Sequence, residues 1–292
     1  MIKERLIKYA KEHREDPNKV FIRYVNERLL YRLSMSEYVN DFAVKGAMVF
    51  YFWGGGEFRP TKDIDLLGFD KQDQEELKNI IGKVCLVEIG QDDEVSFDKD
   101  SINTSEIRKL TKYSGVCVDG KCKLKGVGRE ILFQIDVGFG DIITPGARLA
   151  EMNSLLDLPS PKLRIYNVET VIAEKFEAMV TNGISNSRLK DYWDVYSLLN
   201  NEKLQIDPSI LSTAVKNTFE RRKTKINDLE SGGFSREFYH NEHKVNQWNR
   251  FLKISGLDKE LSLEKVVLAV SDVLLPIYKM RNEENAREGI KM

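Results

Sequence analysis

Histidine and cysteine are scarce in this chain, three of each among 292 residues. Three thiols cannot make a fully paired disulfide framework, and Cys117 and Cys122 are too far apart for a tight zinc knuckle. Reduced thiols are expected. His240 and His243 share a helical face but have no third ligand in view. Charge of either sign is not in surplus. Lys+Arg number 45 and Asp+Glu 46, a net charge of −1, so any nucleic-acid surface has to be a local patch. Long apolar runs are missing too. The longest, Ala47–Trp53, falls far short of the ~18 residues that suggest a membrane span. The opening Met1-Ile-Lys-Glu-Arg-Leu-Ile-Lys8 has no signal-peptide stretch or cleavage site. A cytoplasmic protein with no membrane partner is expected, and a monomer by default.

What is present is ordinary core material: 41% hydrophobic and 31% charged residues, which excludes a wholly disordered chain. The length suits two domains at roughly 100–200 residues each. Residues 3–40 carry helical spacing with a break at Asp16-Pro17-Asn18. Phe42–Lys45 reads as a strand, Met48–Trp53 as an apolar helix stopped by Gly54-Gly55-Gly56, and Asp63–Leu67 as a second strand. Gln72–Val84 is amphipathic. Cys85–Ile89, Ser101–Lys109, Gly115–Leu124 and Glu130–Val137 alternate as strands do. Past Leu156-Asp-Leu-Pro159-Ser-Pro161 the pattern is helical over 167–182, 187–200, 208–222, 240–253 and 262–280. An α+β chain follows, with a mixed-sheet domain over 1–160 and a helical domain over 161–292.

Chemistry concentrates in the first half. Side chains alternate along a strand, so Asp63 and Asp65 share a face while Ile64 turns to the core. Two such carboxylates repel unless a cation lies between them, and Mg²⁺ prefers oxygen ligands of this kind. Asp136 stands alone in the apolar strand pattern Phe133-Gln-Ile-Asp-Val137 and needs a partner. Three carboxylates on adjacent strands suit one or two Mg²⁺ ions. Gly46-Ala47, a small-residue turn opening a helix, presents backbone N–H groups to phosphates. Each piece alone also has a plainer reading, as a surface strand, simple packing or a buried ion pair. Taken in order, the pieces match the nucleotidyltransferase fold of polymerase-β-like enzymes.

Four segments carry a closer resemblance: Phe42-Ala-Val-Lys-Gly-Ala-Met48, Arg59-Pro-Thr-Lys-Asp-Ile-Asp-Leu-Leu-Gly-Phe69, Gln134-Ile-Asp-Val-Gly-Phe-Gly-Asp141 and Glu169-Thr-Val-Ile-Ala-Glu-Lys-Phe-Glu-Ala-Met-Val180. They resemble the AbiEii/AbiGii toxin family of nucleotidyltransferases. Ser187-Arg-Leu-Lys-Asp-Tyr-Trp-Asp-Val-Tyr196 is similar to that family's later block. The resemblance implies a nucleotidyltransferase-like mixed sheet followed by a helical domain that completes the active-site cleft. It also implies a toxin of a bacterial toxin–antitoxin or phage-defence system, with a cognate antitoxin as partner. The implied activity is transfer of a nucleoside monophosphate from a triphosphate, with pyrophosphate released and a tRNA 3′ end as the favoured acceptor. A protein or aminoglycoside-like acceptor, or a catalytically silent nucleotide-binding regulator, are the alternatives.

Residue by residue, the resemblance makes Asp63, Asp65 and Asp136 the metal ligands. Gly46 and Ala47 form the phosphate turn, Ala47 without the serine hydroxyl of the wider superfamily. Lys175 becomes a triphosphate ligand and Asp191 a residue that activates or positions the acceptor. Read from the residues alone, Lys175 is equally a snorkelling lysine. Arg188 and Asp191 are equally an i,i+3 ion pair, and Asp191 a residue that orients Lys175. Lys45, Lys62 and Arg59 flank the phosphate-side motifs and either contact nucleotide or face solvent. For an RNA acceptor the basic run Lys216–Lys225 tracks a phosphate backbone or simply caps a helix end. The aromatic tract Phe234–Tyr239 stacks bases or packs the helical half.

Overall fold

The computed structural model describes residues 1–54, 59–108, 114–224, 232–258 and 260–289. Gly55-Gly56, Lys109 and Lys225, which belong to expected elements above, lie outside the described residues. Two compact units divide the chain. One comprises Met1–Gly54, Pro60–Asp141 and Ala147–Tyr166; the other comprises Gly55–Arg59, Ile142–Gly146 and Asn167–Met292.

The first unit is built on seven strands: β1 (Phe42–Lys45), β2 (Ile64–Gly68), β3 (Val95–Arg108), β4 (Ser114–Leu124), β5 (Ile131–Phe139), β6 (Arg148–Glu151) and β7 (Lys162–Ile165). Their order is β3-β4-β5-β2-β1-β7-β6. β2–β5 and β1–β7 run parallel and the other pairs antiparallel, so the sheet is mixed. Strand alternation sorts its faces. On β5, Ile131, Phe133, Ile135 and Val137 are buried, while Leu132 is exposed and Gln134 and Asp136 are half-buried.

Helices α1 (Ile2–Glu12), α2 (Pro17–Met35) and α4 (Gln74–Cys85) accompany this sheet. Asp16 caps α2 by accepting from the Asn18 N–H, with Pro17 in the first turn where its missing N–H costs nothing. A reciprocal Asp73/Glu76 capping box starts α4. The interior of α2 holds buried polar side chains that bond to segments distant in sequence. Buried Glu27 accepts from Ser154 Oγ at 2.7 Å and from the Leu155 N–H at 2.8 Å. Buried Arg32 donates two hydrogen bonds to Asp93, at 2.6 and 3.1 Å. Such pairs specify where the chain returns onto α2, because an unmatched buried charge would be costly. All three cysteines are unpaired thiols.

Three details differ from the sequence expectation. Cys85–Ile89 is not a strand, because Cys85 continues the buried helical stripe Leu77, Ile81, Val84. Met48–Trp53 is not a continuous helix but a 3-10 turn over Gly46–Val49 followed by the single turn α3 (Phe50–Trp53). The expected boundary at residue 160 precedes β7, which pairs with β1 inside the first unit.

The second unit holds α5 (Val168–Asn182), α6 (Leu189–Leu199), α7 (Pro208–Arg222), α8 (Arg236–His240), α9 (Glu242–Ser255) and α10 (Leu263–Gly289). Its core is aromatic: Phe219, Phe234 and Tyr278 approach Phe176 with ring centroids 5.4–5.8 Å apart. Phe234 and Phe238 are therefore core residues, and the aromatic tract packs rather than presenting rings for base stacking. The expected helix over 240–253 is interrupted by Asn241, whose side chain caps α9 by accepting from the Lys244 N–H.

Candidate active site

The strand registers align a polar row across five strands of the first unit. Lys45 on β1 faces Asp65 on β2, Asp65 faces Asp136 on β5, Asp136 faces Cys117 on β4, and Cys117 faces Ser105 on β3. Adjacent strands lie about 4.8 Å apart, so Asp65 and Asp136 are nearest neighbours on one face. Asp63 is exposed one residue before β2 begins.

Gly46 is fitted to this row. Its φ is +62°, a left-handed conformation that favours glycine. A Cβ built there would lie 2.1 Å from Asp65 Oδ2 and 2.9 Å from Asp65 Cβ, so the carboxylate occupies the place a side chain would take. Ala47 is buried. The helical stretch after Gly46 is only a 3-10 turn and one α-turn, so its dipole is far weaker than the expected longer helix would supply. Lys45 Nζ donates to Asp141 Oδ2 at 2.7 Å, and both side chains are largely buried. Lys45, expected at the nucleotide, thus carries an ion pair in this structure. Lys62 is exposed, and its backbone carbonyl accepts from the amide of fully buried Asn26 at 2.7 Å. That bond ties the approach to β2 down onto α2.

Asp136 accepts from Gln134 Nε2 at 2.9 Å, and Cys117 stands in register beside it. Burial, then the negative charge of Asp136, pushes the Cys117 thiol up to about 12. Among the described residues no three His, Cys, Asp or Glu side chains converge into a metal cage. The Asp65–Asp136 pair still fits a hard divalent cation. Mg²⁺ is ordinarily held by one or two carboxylates, with water and phosphate oxygens completing its shell.

A second polar cluster belongs to the helical unit. Lys175 Nζ on α5 donates to Asp191 Oδ1 at 2.9 Å and to Asp194 Oδ2 at 2.7 Å, both on α6. Arg59 grips Asp194 with Nε and Nη2, each at 2.8 Å. Arg188 Nε donates to Asp191 Oδ2 at 2.7 Å. Asp191 and Asp194 are each 1% exposed, and Lys175 and Arg59 are buried beside them. Burial opposes the charge on Lys175, yet Asp191 and Asp194 outweigh it and hold its pKa above the ordinary lysine value. Burial also opposes the charge on Asp191, but Lys175 and then Arg188 hold that carboxyl below the usual range. Lys190 is pushed down, first by burial and then by Arg59 and Arg188.

The structure thus brings Lys175 and Asp191 together, and the expected i,i+3 pair of Arg188 with Asp191 is present as well. Arg59, expected either to contact nucleotide or to face solvent, has its fork filled by Asp194. Asp194 is the residue that sequence reasoning left without a role. In the basic run, Arg222 pairs with Glu174 at 3.3 Å and Glu177 at 2.8 Å, whereas Lys216 and Arg221 are exposed.

No curated protein matches this chain. The family model described as Nucleotidyl transferase AbiEii toxin, Type IV TA system, matches residues 28–267. Among solved structures, JHP933 from Helicobacter pylori is similar at 12% identity and a TM-score of 0.49, covering 92% of this chain and 98% of that one. MenT4, a nucleotidyltransferase toxin from Mycobacterium tuberculosis H37Rv, is similar at 15% identity and a TM-score of 0.49, covering 94% of this chain and 98% of that one.

Proposed function

The chain belongs to the AbiEii nucleotidyltransferase toxin family, and on that premise we propose a divalent-metal-dependent transfer of a nucleoside monophosphate to an acceptor hydroxyl, with a tRNA 3′ end as the acceptor. The observation that supports this reading is the in-register pairing of Asp65 with Asp136, with the Asp65 carboxylate lodged against Gly46.

In this reading Asp63, Asp65 and Asp136 hold one or two Mg²⁺ ions. Bound there, Mg²⁺ neutralises phosphate charge and favours the alkoxide form of the acceptor. The acceptor oxygen bonds to the α-phosphorus as the bond from that phosphorus to the β-bridging oxygen breaks. Pyrophosphate leaves and the hydroxyl proton passes to solvent. Backbone N–H groups of the Gly46-Ala47 turn bind phosphate oxygens. The resemblance gives Lys175 the role of triphosphate ligand, and Asp191 and Asp194 fix the position of its ammonium. Most of the acceleration comes from positioning and charge stabilisation. A cognate antitoxin and a cytoplasmic setting belong to the same reading. No described helix is long and apolar enough to cross a membrane.

The test is a transfer assay with Mg²⁺, total tRNA and each α-labelled nucleoside triphosphate in turn. Label should enter tRNA and fall by roughly a hundredfold or more in Asp65→Asn and Asp63→Ala. Pyrophosphate release that requires a protein or an amine-bearing small molecule would replace the acceptor. Nucleotide binding without any pyrophosphate release would overturn transfer and leave a nucleotide-binding regulator.

A further inference from the structure

Asp136 has a side-chain donor within its own strand. Strand alternation places Leu132, Gln134 and Asp136 on the open face of β5. Along the strand, the Gln134 amide donates to Asp136 Oδ1 at 2.9 Å. Across the sheet, Cys117 stands in register on one side and Asp65 on the other. A carboxylate beside a second carboxylate swings away from it unless something fixes its plane. Gln134 carries the neutral N–H donor that does so. The bond occupies Oδ1 from within the strand, which holds the plane of the group and keeps Oδ2 in a defined direction.

We propose that Gln134 is a positioning residue that orients Asp136 for divalent-cation binding. The inference rests on the metal reading above and adds a residue to it. An amide suits the position: a leucine or methionine would fill the space without the N–H and leave the carboxylate to rotate. Hydrogen-bond partners of metal-ligating groups typically change metal affinity by about ten- to a hundredfold when removed.

The experiment titrates Mn²⁺ into the full-length protein without nucleotide and follows free Mn²⁺ by electron paramagnetic resonance. Gln134→Met, similar in length and lacking the donor, should bind Mn²⁺ about tenfold more weakly. Gln134→Leu should behave alike, so the test survives if one variant folds poorly. In transfer assays the metal concentration for half-maximal rate should rise by the same factor. The KM for nucleotide at saturating metal should stay as in the wild type, a split that general loosening of the strand would not produce. Wild-type Mn²⁺ affinity in Gln134→Met, alongside lost affinity in Asp136→Asn, would overturn the positioning role and leave the metal reading standing. Wild-type affinity in both Asp65→Asn and Asp136→Asn would overturn the metal reading and this inference with it.

Discussion

Two regions of this molecule gather charge, and they do so in opposite ways. On the sheet, Asp65 and Asp136 bear the same sign, are half-buried and lie side by side in register. Among the helices, two buried carboxylates alternate with Arg59, Lys175 and Arg188 in a chain of short ion pairs. The first arrangement sets two carboxylates side by side, with Lys45 in register beyond Asp65, and offers oxygen ligands to an added cation. The second is complete within itself, its carboxylates saturated by cations of the same unit. Folding alone gains nothing from like charges kept adjacent on an open face, which is what makes this pair the candidate metal site. A saturated buried network is firstly a device for fixing the relation of α5 to α6.

The contrast makes the largest expected effect a structural one. Asp194→Ala leaves Arg59 and Lys175 facing each other without the carboxylate they share. Breaking a buried pair of this kind costs about 3–5 kcal/mol, to be read as a lower urea midpoint at unchanged slope. A loss below about 1 kcal/mol, as for an exposed pair, would erase the distinction between the two regions. Gly46→Ala comes next. The methyl group must enter a left-handed conformation and displace the Asp65 carboxylate, at roughly 1–3 kcal/mol. Transfer activity should fall by more than that stability loss implies, because the displaced group is a proposed metal ligand. Activity near wild type would show that the close approach of Gly46 to Asp65 is dispensable.

Acid sensitivity should divide the regions as well. The folded state holds the Asp191 pKa below its unfolded value, through Lys175 and Arg188 acting against burial. The stability it contributes is therefore present above the unfolded carboxylate pKa of about 3.9 and is lost as pH falls through the folded value. Lys175 has the opposite sign. Its raised pKa contributes stability below the unfolded value of about 10.4, lost as pH climbs through the folded one. Thermal unfolding against pH should show Asp191→Asn with a lower plateau near neutrality and a shallower fall on acidification. A parallel, merely displaced curve would mean that Asp191 does not titrate differently on folding.

The same contrast marks what the sequence discloses. The sheet site was legible because strand alternation is a local rule. Asp63-Ile64-Asp65 and the lone Asp136 declare their faces within a few residues, and Gln134, two positions from Asp136, was readable by that rule. The Arg59–Asp194 bond joins positions 135 apart, and nothing local in Arg59-Pro-Thr-Lys62 says that its guanidinium meets a carboxylate on α6 rather than a phosphate. β6 and β7, four residues each, flank the Pro159/Pro161 stretch and are too short for their alternation to declare a strand. Cys85–Ile89 misled because its first residue belongs to the buried face of a helix, and an apolar run at a helix end looks like the start of a strand.

The smallest effect is expected where the helical cluster meets solvent. The Arg188 side chain is 52% exposed although its partner Asp191 is 1% exposed. Water screens the guanidinium and its ordering has an entropic cost, so the pair contributes less than its 2.7 Å distance suggests. Arg188→Ala should therefore destabilise by under about 1 kcal/mol, because Lys175 still holds Asp191. The loss should shrink further in about 1 M salt, where the screening length falls to roughly 3 Å, while the Asp194→Ala loss stays. A salt-independent loss comparable to that of Asp194→Ala would place Arg188 inside the buried network and move the edge of the structural cluster outward.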